Sequence, residues 1–551
     1  MDEATRNQIA AADPAANTWL VANAGSGKTR VLTDRVARLL LGGAEPLSIL
    51  CLTYTKAAAA EMQNRLFKTL GAWAMAPDPA LRDSLAALGE DGDLSAARLA
   101  RARQLFAKAI ETPGGIRIQT IHSFCAALLR RFPLEAGISP GFTEIDDRSA
   151  LLLREEILEA MALGPDAPAL AALLAEGGDP GRLLPEIISQ RAHFDDAPQG
   201  DALRKVLGVP VALDGAAVLA QVFLGGEETL IRQILPVLAA GKPTDQKAHA
   251  LLSNLLPLPP SVPTLERLED LLLTGAGAKE PFTAKTGAFP TKDIRQALGP
   301  LQDQLEALML RVESARAMRI ALALLQKTEA LHGFARAFLS RYRSAKDRRG
   351  WLDFDDLITL ATGLLTDPSL SAWVLYRLDG GISHVLVDEA QDTSPAQWRL
   401  IQLLTAEFTA GEGIHEGPRT LFVVGDKKQS IYSFQGADVT AFDAMRDRFR
   451  LAFDQAGSAL KERPLIHSFR SSPAILRLVD LCFTGTREGA MGGALQHAAF
   501  HGDLPGRVDF WPPVPAPEKR KRASGSCRWT GPEPKGPRPC LRGRSRPRSA
   551  R

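Results

Sequence analysis

Three stretches of the chain hold residues whose types and spacing suit chemistry on a phosphate. Ala22–Thr29 reads ANAGSGKT. Gly25 and Gly27 let backbone N–H groups close around phosphate oxygens, and a helix starting at this point adds its dipole. Lys28 is placed to reach the β- and γ-phosphates of a nucleotide, and the Thr29 hydroxyl to ligate Mg²⁺. Ala22 stands where such a loop usually begins with Gly. Val385–Asp392 reads VLVDEAQD. Asp388, ending an apolar run, would hold Mg²⁺ through water, and Glu389 would polarise an attacking water. Alone, this segment reads equally well as an acidic strand-to-loop turn; a phosphate loop in the same chain tips it towards a nucleotide site. Leu421–Asp438 reads LFVVGDKKQSIYSFQGAD. It puts Gln429 where a γ-phosphate can be sensed, and it spaces Tyr432 and Phe434 two apart. In an extended segment both rings then face one side, as a platform for stacked bases requires. Taken alone, two aromatics at that spacing read as core packing.

These residues need a frame that holds loops side by side. Asn17–Ala22 (NTWLVA) and Ile49–Thr53 (ILCLT) are apolar runs bounded by turn signals and predict buried strands. Thr29–Leu41 and Ala57–Leu70 follow them with helical spacing, and strand texture returns at His384–Val387 and Thr420–Val424. Alternating strands and helices predict an α/β fold with a parallel sheet covered on both faces. From about Pro77 to Asp356, Leu and Ala recur at helical spacing between Pro/Gly-rich breaks such as Leu255–Pro263, which predicts a large, mostly helical insertion. A new unit is expected to begin near His467.

The bulk numbers set outer limits. The 551 residues, 45% hydrophobic and 23% charged, suit a multi-domain globular protein. No apolar run approaches the about 20 residues that span a bilayer, and the polar start MDEATRNQIA is unlike a signal peptide, so no membrane partner and a cytoplasmic location are expected. The five cysteines lie far apart, without metal-ligand spacing. The net charge of +3 is unevenly spread: from Lys519 onwards there are twelve Lys and Arg against one acid, Glu533, so the preceding part carries −8. Overall charge therefore gives no support to nucleic-acid binding, which rests on motifs alone. The segment 519–551, rich in Arg, Pro, Gly and Ser, has no periodic apolar face and is expected to be disordered. It reads as a phosphate-gripping tail, as an end with no role, or as translation in the wrong frame, and the abrupt change of composition favours the last.

In this order, the three stretches resemble motifs I, II and III of UvrD/Rep-type superfamily 1 DNA helicases. Gln8 resembles the glutamine that reads an adenine edge in that family, and Arg30 the residue lying against the base. The nucleotide site implied is then Gln8 with Ala22, Asn23, Ala24, Gly25, Ser26, Gly27, Lys28, Thr29 and Arg30. TYTKAAAAEM (Thr53–Met62) resembles motif Ia and TIHSF (Thr120–Phe124) the next motif, implying single-stranded DNA contacts at Tyr54, Thr55, Thr120 and His122, beside Tyr432 and Phe434. SFRSS (Ser468–Ser472) resembles motif IV, with Arg470 as an arginine finger. ETPGGIRIQTIHSFCAALLRRFPLEAGI, WLDFDDLI and LVDEAQDTSPAQW are similar to the AddA helicase–nuclease family, over residues 1 to about 518.

That resemblance implies a RecA-like P-loop NTPase domain made of residues 1–76 and 350–466. It also implies a helical insertion over 77–349 carrying a DNA-contacting motif near 118–125, and the start of a second RecA-like domain at 467–518. It further implies an ATP- and Mg²⁺-dependent 3′-to-5′ motor that opens broken duplex ends in recombinational repair, beside an AddB-like partner. Three departures stand out. Gln435 precedes Gly436 where the family usually has Arg, motifs V and VI are missing, and no nuclease segment follows residue 518. The expectation is a C-terminally truncated motor; the alternatives are a non-catalytic ATP- and DNA-binding module, or a UvrD-like helicase outside the AddA group.

Overall fold

The apolar runs become strands of one parallel sheet in the computed structural model, which describes residues 2–90, 92, 94–371, 373–374, 377, 382–409, 417–432, 436–483 and 497–512. Phe434, Gln435 and the segment 519–551 lie outside the described residues. The strands are β1 (Asn17–Ala22), β2 (Ile49–Thr53), β3 (Arg117–Thr120), β4 (Thr143–Glu144), β5 (Trp351–Leu352), β6 (His384–Val387), β7 (Thr420–Gly425), β8 (Leu460–Leu465), β9 (His467–Ser468) and β10 (Ala498–Ala499). Six of them form the main sheet in the order β3-β2-β6-β7-β1-β8, with every neighbouring pair parallel.

Both faces of this sheet are covered, and side chains alternate between two cores. Trp19, Leu50, Leu52, Val385, Val387, Leu421 and Val423 point to one core. Leu20, Ala22, Ile49, Cys51, Leu386, Phe422 and Val424 point to the other. The period of two inside an unbroken apolar run is what a doubly covered parallel strand demands. On the first face Trp19 stacks on Trp398 at 5.8 Å and meets Phe442 at 4.9 Å. The second face is closed by helices α2 (Lys28–Leu41) and α3 (Lys56–Met75).

Two strands escape a reading by hydrophobicity. β8, LKERPL, is buried only at its end residues, because among the described residues it is an edge strand paired with β1 alone, and Pro464 is tolerated at such an edge. β3 returns from the mostly helical stretch to pair with β2 at the opposite edge. Beyond β8, β9 and β10 form a separate two-stranded sheet.

Residues 78–349 are mostly helix. They bury two cores of their own, both reached by the 50-residue helix Pro300–Arg349. Its first half contributes Leu305, Leu308, Met309 and Val312 to one core, and its second half Phe334, Phe338 and Tyr342 to the other. Gly350, in the left-handed region at φ 63°, stops it. Among the described residues no single helix is long and apolar enough to cross a membrane.

Candidate functional site

In a parallel sheet the loops after the strands share one edge, and here those after β1, β6 and β7 converge. Ala22 ends β1, and the chain then turns through Gly25 (φ 73°) and Gly27 (φ 86°) into α2, whose first residue is Lys28. Side chains are shut out at both glycines. A Cβ on Gly27 would fall 2.6 Å from Gln8 Nε2, and one on Gly25 would fall 2.8 Å from Arg470 Cβ. Gln8 Nε2 donates to the Ser26 carbonyl at 2.9 Å, which ties the N-terminal helix α1 (Glu3–Ala11) to the loop. The Ser26 hydroxyl is buried and without a hydrogen-bond partner among the described residues. Asn23 accepts from Lys428 Nζ at 2.6 Å, Ala24 and Arg30 are exposed, and Thr29 is half-buried at the second position of α2. Arg30 reaches Asp34 at 3.5 Å.

The acidic side of the cleft follows β6. Lys28 Nζ lies 2.6 Å from Glu389 Oε2, and Glu389 holds a left-handed backbone at φ 48°, a conformation non-glycine residues seldom adopt. Asp388 is 8% exposed, and its Oδ1 accepts the Glu389 N–H at 2.9 Å. Burial, with the neighbouring Glu389 charge, pushes the Asp388 carboxyl up to about 6 while Lys28 pulls the other way. After β7, Asp426 accepts from Gln429 Nε2 at 2.6 Å, and Gln391 bridges Glu389 and Asp426. Gln391, Asp426 and Lys428 lie inside the stretches singled out by their sequence, yet only the fold shows that they join the three loops. Arg470 is exposed and is brought to the phosphate loop by the Phe469 N–H donating to the Gly25 carbonyl at 2.8 Å.

The residues expected to touch DNA are spread over two places. Tyr54, just after β2, meets Tyr432 with ring centroids 4.5 Å apart. Burial, helped by the Asp392 and Tyr432 charges, pushes the Tyr54 phenol up to about 12. Tyr432 is thus paired with an aromatic from another loop. Thr55 and Thr120 have their hydroxyls engaged as N-caps, accepting from the Ala58 and Ser123 N–H groups at 3.1 Å each. His122, on the helix Ile121–Arg131, packs against the exposed Phe354 at 4.8 Å, and burial lowers its pKa.

The family model for the UvrD/REP helicase N-terminal domain matches residues 1–450. Several proteins whose names describe them as subunits of an ATP-dependent helicase/nuclease, the AddA group, are similar over most of the chain. The one from Desulforudis audaxviator is 30% identical, over 86% of this chain and 39% of its own length. That from Levilactobacillus brevis is 29% identical over 89% and 39%, and that from Latilactobacillus sakei 27% over 90% and 57%. The chain therefore spans 39% of the length of the first two relatives. With three loops on one sheet edge and a family match across most of its length, the chain belongs to the UvrD/REP helicase family.

Proposed function

We propose that this chain carries the ATP-binding half of a DNA-translocating motor, a 3′-to-5′ helicase acting at broken duplex ends in recombinational repair. The observation that carries the reading is the meeting of Lys28, Asp388 and Glu389 at one edge of the sheet, above a loop whose two glycines leave room for nothing larger. In this reading residues 1–76 and 350–466 make the first RecA-like domain, 77–349 the insertion and 467–518 the start of a second RecA-like domain. Its partners are single-stranded DNA and an AddB-like protein, and its location is the cytoplasm.

The residues present fit a bound Mg²⁺–nucleotide. The orphaned Ser26 hydroxyl and the loop N–H groups suit phosphate oxygens, and Thr29 and Asp388 suit the cation. When bound, Mg²⁺ supplies charge neutralisation on the phosphates. Lys28 binds the phosphate tail, Glu389 orients and deprotonates the attacking water, and Gln429 senses the terminal phosphate. Gln8 and Arg30 flank the base, and Arg470 is the finger from the adjoining unit. Tyr54, Thr55, Thr120, His122, Tyr432 and Phe434 hold the strand. The hydroxyl oxygens of Thr55 and Thr120 cap helices, and their backbone groups contact the strand.

The test is ATP turnover by the 551-residue chain with and without single-stranded DNA. DNA-stimulated turnover supports the motor. Mg-ATP binding without stimulated turnover would assign the chain to the class of non-catalytic binding modules.

A further inference from the structure

We propose that Gln391 is the positioning residue that couples the nucleotide site to the loop leading to Tyr432, by holding Glu389 and Asp426 with one side-chain amide. The inference rests on the function proposed for this site.

Gln391 is 1% exposed, and every polar atom of its amide is used. Nε2 donates to Glu389 Oε2 at 2.9 Å and to Asp392 Oδ2 at 3.0 Å. Oε1 accepts the Asp426 N–H at 2.9 Å. The amide is also clamped from behind, because a Cβ on Gly425, the last residue of β7, would lie 2.8 Å from Gln391 Oε1. The Gln391 carbonyl accepts the Ser430 hydroxyl at 3.4 Å, and the Asp426 carboxylate accepts from Gln429. Three residues beyond Gln429, Tyr432 meets Tyr54. The carboxylate beside Lys28 and the loop carrying Tyr432 are thus fastened to opposite ends of one planar group.

An amide is rigid, so its two ends do not move independently. Among the described residues the Glu389 carboxylate has two partners, Lys28 and Gln391. Once a phosphate claims Lys28, Gln391 is the one that still holds Glu389. A shift of Glu389 then turns the amide and drags or releases the Asp426 N–H, which is buried and has Oε1 as its acceptor. By linkage, a strand held at Tyr432 acts back on Glu389 through the same group. A buried glutamine that merely satisfies its own hydrogen bonds would stabilise the fold without carrying this mutual effect.

The experiment measures single-stranded oligothymidylate affinity by fluorescence anisotropy, with and without a non-hydrolysable Mg-ATP analogue, on the 551-residue chain. It compares wild type, Gln391→Glu and Gln391→Met. Gln391→Glu keeps the acceptor for the Asp426 N–H and replaces the donor to Glu389 and Asp392 by an oxygen, which severs that end of the bridge; Gln391→Met keeps volume alone. In wild type the analogue changes oligonucleotide affinity by about fivefold or more. In both variants each ligand still binds by itself, and the mutual effect falls to near unity. Undiminished coupling in Gln391→Glu overturns the proposal, as does a wild type that binds both ligands independently. A variant that loses thermal stability and both affinities together also overturns it. A wild type that binds neither ligand defeats the proposed function itself, and this inference with it.

Discussion

Lys28 and Glu389, 361 residues apart in the chain, meet at 2.6 Å across the edge of the sheet. The lysine is 10% exposed and the glutamate 33%, so the pair is partly shielded from water. The carboxylate lies on the ammonium that a phosphate would otherwise claim. In the proposed function, nucleotide entry would exchange one anion for another at Lys28 and release Glu389 from the lysine.

That exchange makes the two residues separable. Lys28→Ala is expected to weaken Mg-nucleotide binding by about tenfold or more, the loss of a charge-assisted contact. Glu389→Gln should keep binding and slow turnover by about 10²–10⁴. Equilibrium binding of a fluorescent nucleotide, beside phosphate release on an intact motor, checks both. Normal turnover in Glu389→Gln would remove it as the base.

Tyr54→Ala should weaken oligonucleotide binding by about 1–3 kcal/mol, the contribution of one stacked base, and leave nucleotide affinity unchanged. The Tyr54–Tyr432 contact makes this the sharper test of the platform. Equal losses for both ligands would return the pair to core packing.

Gly25→Ala combines a left-handed backbone with a collision against Ser468 and Arg470. The expected cost is about 1–3 kcal/mol, with the 468–470 segment displaced from the loop. Thermal unfolding gives the first quantity. Protease sensitivity near Arg470 gives the second, and unchanged cleavage there would mean that the contact does not hold the segment.

His384 opens β6 with its ring buried and Nδ1 2.8 Å from Thr420 Oγ1, which also accepts from Arg35. Burial, and then the Arg35 charge, push it down to about 4. The unfolded chain takes up a proton near pH 6.5, whereas the folded chain does so only near 4. Stability is therefore complete above pH 6.5 and falls as pH drops towards 4, by at most about 3 kcal/mol. His384→Asn should flatten that part of the stability–pH curve in denaturant titrations; an unaltered slope would locate the acid sensitivity elsewhere.

How much of this is legible in the sequence depends on the kind of signal. β1, β2, β6 and β7 are buried on both faces, so their apolar runs stand out, and the loops after β1, β6 and β7 hold the residues that read as chemical. β8 is invisible because an edge strand with four exposed residues leaves no hydrophobic trace. The Lys28–Glu389 and Gln391–Asp426 contacts depend on strand order, with β7 seated between β6 and β1, and no local pattern encodes that order. The capping role of Thr55 and Thr120 is not legible in the sequence, since a Thr before a helix carries the same signature whether it caps the helix or serves a ligand.

The helix Pro300–Arg349 runs about 75 Å at 1.5 Å per residue. None of the residues 326–333 along its middle is buried, and Gly333 lies in this span. It acts as a spar between two separately packed blocks, stiff along its axis and weakest at mid-length. Each block can therefore melt without the other, and amide protons at the midspan should exchange ahead of those at Leu308 or Phe338.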